Sequence, residues 1–322
     1  MPLPEFDLAR LLAPVTVEEF ERDFREQQPL HVAREQPGHY RELLTLDDFD
    51  RLLALSGPDF HQLRVVHAGR KDPVEPGTRL GTVYDAFEAG ATLQVQHVDS
   101  RWEPLQPLTR ALGQWAGAKV WANAYLTPGG NAQGFVPHHD GHDVLVAQIH
   151  GAKRWRLYGV RTPLPFEGRM FRESSPGAAR YDRHLLLRAG DLLYLPRGTI
   201  HAAATEDVTS LHLTIAVEPV LWSTAIQDGI RRVFEQDVAF RRSMPPGFAT
   251  RPRTEETMAE LLRLLWERLS PRELVAQAQR TATGLQNPGA RGRLTAIAAA
   301  DPAPGSDPGA DSGADSGPDS EE

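Results

Sequence analysis

From Lys119 to Val217 the chain is written largely in alternation. Val120, Ala122, Ala124 and Leu126 take every second position, and Trp121, Asn123, Tyr125 and Thr127 stand between them. Period two is the signature of a strand with two unlike faces. Lys153–Tyr158 repeats the pattern, with Lys153, Trp155 and Leu157 on one face and Arg154, Arg156 and Tyr158 on the other. Ser210–Val217 does so again: Leu211, Leu213, Ile215 and Val217 oppose His212, Thr214 and Ala216. Residues 143–149 are apolar on both faces, as a central strand would be. Residues 184–188 and Leu192–Leu195 give further strands around a Gly190-Asp191 turn, after a Pro-, Gly- and Arg-rich loop over roughly 159–183. Five or more short strands with turn signals at this spacing predict a sandwich or barrel.

Both flanks change period. Residues 7–56 read as mostly helical: Val17, Phe20 and Phe24 recur at helical spacing behind Thr16, which forms a capping box with Glu19. Pro29–Val32 interrupts as a short strand, and Thr45–Asp48 leads into a second amphipathic helix with Phe49, Leu52 and Leu53. Strands Leu63–Val66 and Leu93–Gln96 surround a helix near Val83–Ala89. Beyond Pro219, Ile226, Ile230, Val233 and Phe234 form one helical stripe, Met258, Leu261, Leu262, Leu265 and Leu269 a second, and Pro271 opens a third helix. Periodicity ends near Gly284, and the Gly/Pro/Ser/Asp repetition that closes the chain predicts disorder.

Composition narrows the chemistry. Of 322 residues 40% are hydrophobic and none is cysteine, which removes disulfides, thiolate metal sites and cysteine nucleophiles and leaves His, Asp and Glu as the strong metal ligands. The net charge of −8 is mostly the tail's, because Asp301–Glu322 holds seven acids and no bases. The body therefore lacks the basic footprint of a nucleic-acid-binding domain, and direct nucleic-acid binding is not expected. No run of about 18 apolar residues predicts a membrane span. MPLPEFDLAR lacks the form of a signal peptide, so the expected location is cytoplasmic.

The candidate chemistry sits in Pro137-His138-His139-Asp140. On a strand, residues i and i+2 share a face with Cα atoms roughly 6.5 Å apart, so His138 and Asp140 converge on one ion. Two histidines and a carboxylate on one face of a metal suit non-haem Fe(II) oxygen chemistry. The third ligand comes from a later strand: His201, behind the Pro196-Arg197-Gly198 turn, is the better candidate and His212 the competitor. In a regular strand His139 and His142 point away from His138. An H-x-D tripeptide is common and carries little alone. Lys153 adds independent weight, since a lysine on an apolar strand face is unfavourable unless an anion pairs with it. Its functional reading is a salt bridge to a carboxylate of a small cosubstrate; the other is an outer-face lysine with its head in water. Asn123, Tyr125 and Thr127 make a polar row suited to a lined pocket.

These residues carry a resemblance. Asn123-Ala-Tyr125-Leu-Thr-Pro, Gln133-Gly-Phe-Val-Pro-His138-His-Asp140, Gly151-Ala-Lys153-Arg-Trp155-Arg-Leu-Tyr158, Gly190-Asp191-Leu-Leu-Tyr194-Leu-Pro196-Arg-Gly198 with His201, and Ser210-Leu-His212-Leu-Thr214 are similar to the JmjC ribosomal oxygenase (cupin-4) family over roughly residues 15–280. The resemblance implies a mainly β fold with helical additions: a double-stranded β-helix of the jelly-roll (cupin, JmjC) type, followed by a helical dimerisation region. It implies Fe(II) held by His138, Asp140 and His201. It further implies 2-oxoglutarate reaching Lys153, with Asn123, Tyr125 and Thr214 in the cosubstrate pocket. Family members often carry a polar residue near Ala216, so here that hydrogen bond is absent or comes from Thr214. The implied reaction uses O2 to hydroxylate a histidyl or arginyl side chain of a ribosomal or other basic protein, in a homodimer. The corresponding division is 1–219 for the oxygenase domain, 220–284 for the dimerisation helices, and 285–322 for a shortened remnant of the family's winged-helix region with the acidic tail. Two other classes compete: a cupin-type metal enzyme acting on a small molecule without 2-oxoglutarate, which needs the triad but no buried Lys153, and a non-catalytic JmjC-like binding protein, which needs neither.

Overall fold

The computed structural model describes residues 6–56, 62–67, 70–73, 79–166, 171–172, 183–248 and 254–285. The chain begins with α1 (Leu8–Leu12) and α2 (Val17–Asp23), then β1 (Leu30–Val32) and α3 (Leu46–Ser56). The capping box that opens α2 is complete: Glu19 N–H donates to Thr16 Oγ1 at 3.1 Å and Thr16 N–H to the Glu19 carboxylate at 2.9 Å. Thr45 and Asp48 exchange the same pair of bonds ahead of α3. Residues 33–45, expected within a mostly helical segment, form turns instead. Arg34 holds this stretch by donating to the carbonyls of Leu11 and Ala13 at the end of α1 and of Gly190 in the Gly190-Asp191 turn.

A short antiparallel group follows, β2 (Leu63–His67), β3 (Arg70–Pro73), α4 (Leu80–Glu88) and β4 (Thr92–Val95), then α5 (Gln106–Ala116). No pattern predicted α5. Its buried stripe is only Leu108 and Leu112 with Gly113, and Pro107 looks like a breaker although it lies in the first turn, where the missing N–H is harmless. Gly117 ends the helix in the left-handed region.

The barrel is built from β5 (Ala118–Thr127), β6 (His138–His139), β7 (Asp143–His150), β8 (Ala152–Val160), β9 (Phe171–Arg172), β10 (Arg183–Arg188), β11 (Leu192–Leu195), β12 (Thr199–Thr205) and β13 (Ser210–Pro219). All strand pairs are antiparallel. One sheet runs β1-β11-β7-β13-β5-β4-β2-β3 and the other β10-β8-β12-β6-β9. The alternating pattern of β11-β7-β13-β5 against β10-β8-β12-β6 is that of a jelly roll. β7 is buried along almost its whole length, as its two apolar faces predict. The β7–β8 turn is fixed by Gly151, at φ 65°, where a Cβ would lie 1.9 Å from the Thr209 carbonyl oxygen.

Burial separates the two faces of the larger sheet. Ala122, Ala124 and Leu126 of β5 and Leu211, Leu213 and Ile215 of β13 pack under the amino-terminal helices and α5 in one apolar core. Inside the barrel a smaller core gathers Val144, Val146, Trp155, Leu157, Leu187, Leu193 and Leu195. The chain then continues through α6 (Trp222–Gln236), α7 (Thr254–Arg268) and α8 (Pro271–Gly284). No helix among the described residues is long and apolar enough to cross a membrane. Most of the expected 159–183 loop and the predicted disordered tail lie outside the described residues.

Candidate metal centre and its pocket

β6 and β12 are neighbours, and His138 stands directly opposite His201 in their register. The β12–β8 pairing shifts between Thr199 and His201, and a bulge of this kind re-aims side chains at barrel rims. The His138 and His201 rings lie 4.5 Å apart between centroids, and His201 Nε2 is 3.8 Å from Asp140 Oδ2. One ligand atom from each of His138, Asp140 and His201 lies within 4.8 Å of the others, the only such His/Cys/Asp/Glu group of three among the described residues. Both imidazoles are tethered through Nδ1, His138 to the Val136 carbonyl at 2.8 Å and His201 to the Thr199 carbonyl at 3.0 Å. That fixes the tautomer and leaves each Nε2 lone pair for an ion. Burial, reinforced by neighbouring His138, lowers His201 to about 4, so it is neutral, the form that ligates metal. By its donors and their spacing, the cluster fits a divalent metal.

The triad opens into a cavity of about 490 Å³ that Lys153, Asn123, Tyr125 and Thr214 also line. Lys153 is 3% exposed and has no carboxylate partner among the described residues. Its Nζ donates to Thr127 Oγ1 at 2.9 Å, and burial lowers it to about 7. Asn123 and Thr214 are cross-strand partners. The Tyr125 ring stacks on His212 at 4.9 Å with 4° between planes. His212 is thus a wall of the cavity, not the third ligand; burial, and then Lys153, keep it well below the ordinary histidine range. Ala216 is fully buried and does not line the cavity, whereas Thr214 does.

One expectation fails here. His139 is buried off the cavity as predicted, but His142 lines it, 5.0 Å from the Trp121 ring. β6 ends at His139, so alternation no longer governs the turn through Gly141. Gln94 went unnoticed in the sequence. It is 1% exposed, lines the cavity and donates to Tyr125 Oη at 2.8 Å. The available signal was a lone amide in the otherwise apolar Leu93-Gln94-Val95.

Residues 93–224 match the family model of the JmjC domain. Ribosomal oxygenase 2 of Mus musculus is 34% identical over 251 residues, covering 73% of this chain and 53% of that protein. The Drosophila erecta protein named bifunctional lysine-specific demethylase and histidyl-hydroxylase NO66 is 32% identical over 254 residues, covering 73% of this chain and 38% of that protein. The chain thus spans about half the length, or less, of these curated relatives. Among solved structures, that of YcfD, a ribosomal oxygenase from Escherichia coli in complex with cobalt and 2-oxoglutarate, shares the fold with a TM-score of 0.53 at 18% identity, over 81% of this chain and 68% of that one. Residues 93–224 of the chain thus form a JmjC domain, and proteins named ribosomal oxygenases are among its relatives.

Proposed function

We propose that the chain is an Fe(II)- and 2-oxoglutarate-dependent oxygenase, with His138, Asp140 and His201 as the metal ligands and Lys153, Asn123, Tyr125 and Thr214 around the cosubstrate. The observation that carries this reading is Lys153: a buried ammonium without a protein carboxylate, in the same cavity as two tethered histidines and an aspartate. A metal enzyme without an anionic cosubstrate has no use for it. The cobalt and 2-oxoglutarate complex of YcfD supports the same pairing of metal and cosubstrate.

Iron with 2-oxoglutarate supplies the coupling of oxidative decarboxylation by O2 to hydroxylation of a C–H bond. The protein's part is positional. Val136 and Thr199 carbonyls aim the two imidazoles, and Asp140 adds the negative charge. Lys153, seated on Thr127 in the same cavity, would pair with a carboxylate of the cosubstrate. Phe135 and Trp155, against His138 and His201, screen the ligands from bulk water. Fe(II) and 2-oxoglutarate added without oxygen produce a weak visible charge-transfer band; a folded protein that gives none overturns the reading.

The substrate is a histidyl or arginyl side chain of a ribosomal or other basic protein, met in the cytoplasm; the names of the relatives support the ribosomal and histidyl parts of this reading. Mass spectrometry of ribosomal proteins from a deletion strain checks it through one missing oxygen atom. The helices from α6 to α8 form a homodimer interface appended to the oxygenase domain. Trp222 and Trp266 are each 80% exposed, and Ile226, Phe234, Met258 and Leu262 of the same two helices are exposed as well, apolar surface that water disfavours. Sedimentation of a Trp222→Glu, Trp266→Glu protein then shows a monomer.

A further inference from the structure

We infer that Glu26 and Arg197, with Asp143 and Tyr194, are positioning residues for the metal centre: a buried ionic brace from the amino-terminal segment sets the two turns that present Asp140 and His201. The inference rests on the metal reading given above.

The brace closes on itself. Glu26 follows α2 with φ 58°, a left-handed conformation uncommon for a residue with a side chain. Its N–H donates to Tyr194 Oη at 2.9 Å, and that hydroxyl donates to Asp143 Oδ2 at 3.0 Å. Asp143 Oδ1 accepts from Arg197 N–H at 3.0 Å, with the Arg197 guanidinium 3.6 Å away. The guanidinium donates in turn to the Glu26 carboxylate. Arg197, Asp143 and Tyr194 are all buried, while the Glu26 side chain is 35% exposed.

Each end of the brace touches a ligand-bearing turn. Asp143 lies three residues beyond Asp140. Next to Arg197, Gly198 N–H donates to the Asp140 carbonyl at 3.0 Å, and the following residue, Thr199, supplies the carbonyl that tethers His201. Gly198 is at φ 86°, and a Cβ there would sit 2.5 Å from the Thr162 carbonyl oxygen, so the turn has no freedom to drift. The strands do little of this work themselves, because β6 is two residues long and β12 is bulged at His201. A buried ion pair contributes uncertainly to stability, and in some proteins its use is to fix geometry. Here the geometry it sets is that of the ligands.

Cobalt(II) titration of the full chain, followed by visible absorption, tests the brace without any turnover. Glu26→Gln weakens Co(II) binding by up to about tenfold, the low end of what losing a direct outer partner of a metal ligand does, because Glu26 acts one residue further out, and Arg197→Gln weakens it further. Arg10→Gln, which breaks the 2.8 Å pair with Glu42 in the same amino-terminal segment, leaves Co(II) affinity unchanged. Thermal unfolding of each variant separates lost stability from lost affinity. Equal weakening by Arg10→Gln and Glu26→Gln, or unchanged affinity in Glu26→Gln despite a lower Tm, overturns the inference. Should Arg197→Gln fail to fold, Glu26→Gln still decides, since its side chain is partly exposed. A parent chain that binds no Co(II) overturns the metal reading and the brace with it; a parent that binds, with both variants unchanged, overturns the brace alone.

Discussion

The two faces of the larger sheet share every backbone hydrogen bond and almost nothing else. Towards the helices, β5 and β13 present alanines and leucines that are at most 8% exposed and gather in one apolar core. Towards the barrel interior the same strands present Asn123, Tyr125, Thr127, His212 and Thr214. One face releases free energy on folding by removing apolar area from water. The other leaves polar groups at a cavity, where the buried Lys153 ammonium of β8, in the smaller sheet, reaches Thr127 and no carboxylate, arrangements that oppose folding unless a ligand completes them. Stability and chemistry are thus stored on alternate residues of single strands.

Substitutions at the cavity and on the helix face should therefore shift stability in opposite directions. Lys153→Met removes the buried ammonium. A shift from 10.5 to about 7 sets an upper scale of roughly 4–5 kcal/mol at neutral pH. The variant is expected to unfold at higher temperature than the parent when empty, and to lose 2-oxoglutarate binding by calorimetry while keeping Co(II). Leu213→Ala, on the helix face and 0% exposed, lowers stability by about 3 kcal/mol in denaturant titrations and leaves Co(II) affinity in place.

Titration sharpens the contrast further. Lys153 has a folded-state value below its unfolded one, so between about 7 and 10.5 the unfolded chain binds more protons, and the empty protein gains stability as pH rises through that window. Cosubstrate binding needs the charged form and must take up a proton above about 7, so 2-oxoglutarate affinity falls with rising pH, by up to about tenfold per unit. Flat affinity from pH 7 to 9 would separate Lys153 from the cosubstrate. The smallest effect is far from both faces: Thr16→Ala opens the α2 capping box and lowers stability by about 1 kcal/mol, with cosubstrate affinity unaltered.

What the sequence displayed was whatever period two could encode. The inward Lys153 and the split of Leu213 from His212 follow from alternation, and the structure places both where that rule puts them; His138 and Asp140 do meet, but Asp140 already lies beyond the end of β6. The rule fails where strands stop. His142 sits beyond a two-residue strand, in a turn whose direction Gly141 sets. Gln94 lies on a strand buried on both sides, where a polar residue marks no face. α5 presents too narrow a stripe to register, and the contact between Glu26 and Arg197 joins residues 171 apart. Local pattern carries no trace of such a pairing.

The shared strands also govern what the lineage can change. Deleting one residue within Ser210–Pro219 would reverse parity from that point, turning leucines into the cavity and His212 or Thr214 against the helices. Insertions in β5, β7 or β13 meet the same penalty. The run from Pro128 to Pro137, between β5 and β6, obeys no such arithmetic: it can lengthen, shorten or be rewritten while the parity of every strand stands. It ends beside His138 and carries Gly134, Phe135 and Val136 into the cavity wall. New substrates can be tried there as long as the Val136 carbonyl that tethers His138 keeps its place.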